Sequence, residues 1–371
     1  MGLAVFTARA GDSNLPPSQS EAPRKGRQTA TIDNTVPRRD ANGQIIDAHD
    51  GCLQLFGPHF YLYGTAYGTN TGYTAANRFV VYTSPDLQEW APAGQLLADP
   101  PKGVYYRPYV VFNPTTHRYV LWYNWYPDQW NGQTGVAVSD TPVGPFTIVS
   151  TNVLLSCAHA GDGSLFVDDD GTGYYIYTAI DRGYAVRVER LTPDYLHATG
   201  ETSHLFVLGA EAPVLFRRED LYYVFCGPRC AFCPEGSEVL VYISISPTGP
   251  FKRCSNFNRQ MESAAPTVVT QSTVSVSGPK GDFNYALNSK ATSQNNAPII
   301  PAQETWVAKI PTTNGPAFIW MADRWQSTPD GIKGHDFQFW SPPLSFNSYT
   351  HAVLPLKDSS RWSLTLSLDG R

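Results

Sequence analysis

The chain is poor in the features that mark non-globular proteins. Only 16% of its 371 residues are charged, and no apolar run approaches the roughly 18 residues of a membrane helix. No basic cluster stands in the folded part and the net charge is -5, which argues against a nucleic-acid or anionic-membrane surface. Helical periodicity is nearly missing outside the loops. No Asn-x-Ser/Thr sequon with a non-proline middle residue occurs, so the usual mark of a glycosylated secreted protein is missing. What the chain does have is a 42% hydrophobic content and 13% aromatics, with 21 Tyr and 9 Trp. These suit a large β-sheet core, and such rings also stack well on the apolar faces of sugars.

A motif recurs: TSPDLQEW, SDTPVGPF, LTPDYLHATGE and SISPTGPF begin at residues 83, 139, 191 and 244, each closing a strand with a Ser/Thr-Pro type of turn. A period a little over 50 residues with about four short strands per unit is the signature of propeller blades rather than of a sandwich. Four units end by residue 255 and a fifth fits 300–345. The expected fold is therefore all-β, a five-bladed β-propeller over 41–371. Residues 1–40, rich in Pro, Ser and Arg, read as a flexible lead-in, and the Ser/Thr/Asn/Gln-rich stretch 255–299 reads as an insertion between the fourth and fifth blades, disordered or a loop over the binding face. Met1 to Ala10 is too short and too weakly flanked for a clear signal peptide.

Polar residues stand at or just before the first strand of each unit: Asp50, Arg107, Asp162, Glu211 and Gln303. Innermost propeller strands run along the channel axis, so repeated positions at their starts converge at one end. Three carboxylates around one polar pocket do not all ionise freely, and one is expected to have its pKa raised enough to serve as a general acid. A second carboxylate would activate water from the other face of a sugar ring, which is the arrangement of an inverting glycosidase. The plainer alternative is that Asp50-Gly51 and Asp162-Gly163 are turn pairs. Glu211, ahead of Ala-Pro, has no such turn role.

At these residues the chain resembles glycoside hydrolase family 43, five-bladed propellers with a base Asp, a pKa-setting Asp and an acid Glu. The resemblance implies catalytic roles for Asp50, Asp162 and Glu211 in that order, and VYTSPDLQEW resembles the family's first-blade signature. The nearest branch is that of exo-acting β-1,3-galactanases, through Ala48-His49-Asp50, Arg107-Pro108, the Asp168-Asp169-Asp170-Gly171-Thr172 turn and Asp323-Arg324-Trp325. The chain departs from that branch in two ways. It has both Asp50 and the fifth-blade Gln303, where the branch lacks the usual base Asp and is thought to use the Gln, and it has Tyr106 where the branch has a substrate-contacting Glu.

Candidate substrate contacts are thus His49, Tyr106, Arg107, Gln303 and Arg324. Arg107 serves equally as the partner that keeps a carboxylate ionised, and His49 also reads as a buried hydrogen-bonded residue. Cys226, Cys230 and Cys233 have a C-x3-C-x2-C spacing, but they lie in a hairpin without the βα context of cluster enzymes. Neither a metal nor another cofactor is expected. With Cys52, Cys157 and Cys254 there are six cysteines, whose pairing is not deducible. The expected protein is a monomeric, extracellular glycosidase acting on a neutral polysaccharide or oligosaccharide of galactan, arabinan or xylan type, with no nucleic-acid or membrane partner. The alternative is a carbohydrate-binding propeller that has lost turnover.

Overall fold

The computed structural model describes residues 28–70, 72–128, 131–228, 237–259, 271–278, 281–288, 298–357 and 359–368. Four sheets of four antiparallel strands follow one another in chain order. The first holds β2 (Leu53–Phe56), β3 (His59–Ala66), β4 (Arg78–Ser84) and β5 (Ala91–Gln95). The second holds β6 (Val104–Asn113), β7 (Arg118–Tyr126), β8 (Gln133–Ser139) and β9 (Thr147–Ser150). The third holds β10 (Ala160–Val167), β11 (Gly173–Ala179), β12 (Ala185–Leu191) and β13 (Ala198–Thr202). The fourth holds β14 (Ala210–Arg218), β15 (Leu221–Pro228), β16 (Leu240–Ser244) and β17 (Lys252–Asn256).

The first strands of successive sheets touch, β2 to β6, β6 to β10, β10 to β14, β14 to β20 (Gln303–Thr312) and β20 back to β2, which closes a five-bladed ring. The recurring Ser/Thr-Pro motif falls in each of the first four blades between the third and fourth strands. In the first copy Asp86 shows why: its Oδ1 accepts the N–H groups of Gln88 at 2.9 Å and Glu89 at 2.8 Å, satisfying the turn's own backbone.

The fifth sheet is ordered β1-β23-β20-β21-β22, with β1 (Gln28–Asp33), β21 (Gly315–Arg324), β22 (Phe337–Trp340) and β23 (Arg361–Leu366). Residues 28–33 therefore do not belong to a flexible lead-in. They pair with β23 from Gln28↔Leu366 to Asp33↔Arg361, because QTATID alternates and buries Ala30 and Ile32. The insertion is more than a loop: β18 (Gln271–Gly278) and β19 (Gly281–Asn288) pair as a separate hairpin.

Aromatic residues fill the spaces between blades. Trp122 and Tyr175 pack at 4.7 Å across the second and third blades, and Phe216 and Phe318 at 5.5 Å across the fourth and fifth. Some polar tips bond across seams: the Trp122 Nε1–H donates to Tyr195 O at 2.7 Å between the second and third blades, and the Tyr63 hydroxyl to Pro142 O at 2.7 Å between the first and second. Cys52, Cys157 and Cys226 are buried free thiols, Cys226 on β15, and burial pushes the thiols of Cys52 and Cys157 up to about 12. Cys230 and Cys233 lie outside the described residues.

Candidate active site at the channel mouth

Every innermost strand carries one residue more than its partner at the same place. In the first blade two residues, Asp50 and Gly51, stand between the pairs His49:Thr65 and Cys52:Tyr63, opposite Gly64 alone. The register also shifts between Tyr106 and Tyr109, Ala160 and Gly163, Glu211 and Val214, and Glu304 and Trp306. Such β-bulges take a residue out of the ladder and re-aim its side chain. Asp50, Arg107 and Ala212 adopt φ of 59°, 53° and 54°, left-handed values that an ordinary strand residue avoids. Pro108 and Pro213, which lack an N–H, are accommodated because the bulge asks for no ladder bond there.

The bulges of the second, third and fourth blades are tied to one another. Arg107, buried, places its Nε 3.1 Å from Asp162 Oδ1 and donates from Nη1 to the Tyr109 hydroxyl at 3.4 Å. Burial works most strongly against the guanidinium's charge, but Asp162, Tyr109 and Asp50 together outweigh it and Arg107 stays cationic. The second oxygen of Asp162 accepts the Ala212 N–H at 3.1 Å. Asp162, with 22% of its side chain exposed, therefore fixes the backbone immediately after Glu211. Beside them, on β20, Glu304 is fully buried and neither of its carboxyl oxygens has a hydrogen-bond partner among the described residues. Burial raises its pKa well above the ordinary glutamate value, the charges of Asp162 and Glu211 add to this, and Arg107 opposes it. The neutral form of Glu304 is the one this environment favours.

Asp50, 5% exposed, sits in a second group built from the first and fifth blades. Its N–H donates to Asp323 Oδ2 at 2.7 Å, and its own Oδ2 accepts the Tyr67 hydroxyl in a short hydrogen bond. Burial is the largest influence on its carboxyl and pushes the pKa up to about 6, while Arg107, the Tyr67 hydrogen bond and Lys333 favour the charged form. The other oxygen of Asp323 lies 3.0 Å from His49 Nδ1, and His49 Nε2 lies 3.4 Å from Gly334 O. Both ring nitrogens face acceptors, as an imidazolium requires. Burial alone would lower the His49 pKa, but Asp323, then Asp47 and Asp50, raise it to about 9.

An aromatic wall borders this group. Tyr67 lies 5.6 Å from Trp325 and 6.2 Å from Tyr106, and Tyr106 lies 6.0 Å from Tyr126 and 6.3 Å from Tyr73, which is 41% exposed. Gln303 opens β20 with its Oε1 accepting the Trp325 Nε1–H at 3.2 Å. His49 does not border the wall's open side: it is fully buried, packs on Tyr67 and Trp325, and acts on the site through Asp323. Arg324, next to Asp323 on β21, projects to the opposite face of the strand, where its guanidinium lies 5.9 Å from the Phe337 ring. The expected roles of His49 and Arg324 as sugar contacts find no support in these positions.

Sequence reasoning passed over Tyr67, Asp323, Lys333 and Glu304. Asp323 was within reach, since it lies in the Asp-Arg-Trp triplet and strand alternation sets it opposite Arg324. Glu304 adjoins Gln303 in the same strand opening. Tyr67 and Lys333 sit in loops whose sequences carry no periodic signal.

The fold and the site together define a five-bladed propeller whose innermost strands gather acidic residues around a buried arginine. The family model for glycosyl hydrolases family 43 matches residues 57–298, and the chain belongs to that family. It is 30% identical over 151 residues to the arabinoxylan arabinofuranohydrolase of Bacillus subtilis strain 168, a match covering 32% of this chain and 28% of that protein. Its fold is similar to that of an exo-β-1,3-galactanase from Clostridium thermocellum, at 22% identity and a TM-score of 0.68 over 89% of this chain and 66% of the other. It is also similar to the Phanerochaete chrysosporium exo-β-1,3-galactanase solved with β-1,3-galactotriose, at 20% identity and a TM-score of 0.67 over 90% and 68% of the two chains. The chain thus spans under a third of the curated relative and about two thirds of the Clostridium protein.

Proposed function

We propose that the protein is an inverting glycosidase for a neutral glycan, of galactan type before arabinan or xylan, in which Glu211 is the general acid, Asp50 the general base and Asp162 the residue that sets the acid's position and charge. The observation that carries this reading is the link from Arg107 through Asp162 to the Ala212 N–H, which ties the backbone beside Glu211 to a buried cation. Asp162, paired with the Arg107 guanidinium, stands beside the acid's backbone, and a like charge close by disfavours ionisation of a carboxyl, which suits a group that must give a proton to a leaving-group oxygen.

Asp50 has the complementary environment. Its pKa of about 6 leaves it a carboxylate at neutral pH yet still basic enough to take a proton from water. Inversion and the galactan preference rest on family membership and on the resemblance to the exo-β-1,3-galactanase structures.

The test is hydrolysis of β-1,3-galactobiose and of aryl β-galactosides, β-xylosides and α-arabinofuranosides by the wild type and by Glu211→Ala. A fall of about a hundredfold or more is expected in the variant, smallest on aryl glycosides whose leaving groups need no proton. The anomer first released, followed by NMR, reports inversion. A wild type that turns over none of the panel overturns the proposal in favour of a binding propeller.

A further inference from the structure

Lys333 is a cation that the channel mouth has been built to keep. It opens the short turn Lys333–His335, and that turn is clamped on both sides. The Gly334 N–H donates to Gly68 O at 3.1 Å and the Asp336 N–H to Lys333 O at 3.1 Å, while the Asp336 carboxylate accepts the N–H groups of Gln326 at 3.0 Å and Ser327 at 2.8 Å. Asp47 holds the facing turn by accepting from Tyr67 N–H at 2.9 Å and Gly68 N–H at 2.7 Å. A Cβ at residue 334 would stand 2.5 Å from Asp47 Oδ2, so glycine is required where the two turns meet.

Within this clamp Lys333 is only 8% exposed, and its Nζ lies 3.4 Å from the centroid of Trp325 and 4.8 Å from that of Tyr67. Ring faces attract an ammonium, but they do not replace the water it has lost. The charges that compensate are carboxylates, with Asp50 foremost, then Asp336, Asp323 and Asp47. Asp50 in turn is faced by Arg107 from the second blade, Asp323 from the fifth, the Tyr67 hydroxyl and the His49 imidazolium from the first, and Lys333.

We propose that Lys333 is a positioning residue for the reaction: its ammonium, gripped by Trp325 and Tyr67, keeps Asp50 in the carboxylate form and keeps Tyr67 aimed at it. The inference rests on the reading of Asp50 as the base. Its physical logic is that burial drives Asp50 towards protonation and Asp323 adds to the drive, so that Arg107, already committed to Asp162, the Tyr67 hydrogen bond and the His49 imidazolium share the opposing task with Lys333. Burial lowers the pKa of Lys333 itself, to about 8, so at neutral pH the ammonium and the Asp50 carboxylate are charged together.

The test separates the coupling from the chemistry. Protein labelled with 13C at aspartate carboxyls is titrated as wild type, Lys333→Met and Lys333→Arg, the Asp50 signal being the one lost in Asp50→Asn. The Asp50 midpoint is expected to rise by a resolvable fraction of a pH unit in Lys333→Met and to stay near the wild type in Lys333→Arg; if the Met variant does not fold, Lys333→Gln removes the same charge with a polar chain. On a hydrolysed glycoside the acid limb of kcat/KM moves up by the same amount, with the plateau at higher pH recovered. A midpoint unmoved in a folded charge-removing variant overturns the inference, because a purely structural lysine would lower activity at every pH without moving that limb. A shifted midpoint in a wild type that hydrolyses nothing upholds the coupling and sinks only the assignment of Asp50 as a catalytic base.

Discussion

Asp323 receives the backbone N–H of Asp50 at 2.7 Å, so a side chain of the fifth blade fixes the left-handed bulge that aims a carboxylate of the first. The same carboxylate partners His49, and the three residues form one buried unit across the seam where the ring closes.

Breaking that unit has a defined outcome. Asp323→Asn retains the shape but removes the charge that keeps His49 protonated, and removing one member of a buried pair costs about 3 kcal/mol or more. The urea midpoint should fall accordingly, and the His49 pKa, followed by NMR, should fall from its present value of about 9. An unchanged His49 titration would show that Asp323 is not its dominant partner.

Stability is expected to decline with rising pH chiefly through two groups, with Asp50 adding to the decline below its folded pKa of about 6. His49 has a folded pKa raised above its ordinary 6.5 to about 9, so its contribution is complete below 6.5 and is lost as pH rises through 9. Glu304 is a carboxyl with a raised folded pKa; above its unfolded value near 4.5 the native state keeps a proton that the unfolded state gives up, so stability again falls with rising pH. Each group adds a slope of up to about 1.4 kcal/mol per pH unit within its window. Glu304→Gln should flatten the decline of unfolding free energy between pH 5 and 6, below the His49 window. A slope identical to that of the wild type would place the linkage elsewhere.

Arg107→Lys keeps the charge and loses the planar fork that reaches Asp162 and Tyr109 together. On a substrate the protein hydrolyses, kcat should fall by about tenfold or more with a smaller change in KM, because what slackens is the position of the acid and not the sugar contact. A rise in KM alone would make Arg107 a substrate contact.

Two glycines in the first blade should respond differently to alanine. At Gly51 a Cβ would lie 1.9 Å from Tyr63 O, backbone with no room to yield, and Gly51→Ala should not accumulate as folded protein. At Gly57, with φ of 58° and nothing within 4 Å, Gly57→Ala carries only the left-handed strain of about 1–2 kcal/mol. Thermal melts of the two variants side by side check this.

The blade count was legible because each of the first four blades repeats the same problem, a third-to-fourth strand turn with a capping polar residue such as Asp86, at a nearly constant spacing that leaves room for a fifth. Asp50, Arg107, Asp162, Glu211 and Gln303 were legible as a set for the same reason, one per innermost strand. The closing strand was not. QTATID is short and follows a Pro- and Ser-rich stretch, and its partner RWSLTL is more than 300 residues away, a pairing that local pattern does not register. Nor did composition reveal that Asp323 rather than Arg324 belongs to the site, since both suit a polar channel and only their alternation on β21 separates them. Tyr67 and Lys333 meet because two turns are stitched together through Asp47 and Gly334, and such a meeting leaves no trace in either segment alone.

The extra residue in every innermost strand has an evolutionary consequence. Side chains at Asp50, Arg107 and Asp162 stand at breaks in the pairing, and Glu211 immediately before one, so exchanging one for another leaves the sheets' regular pairing on either side undisturbed. The propeller can therefore be refitted, position by position, for a different sugar or for no reaction at all, as interchangeable tool heads fit one handle.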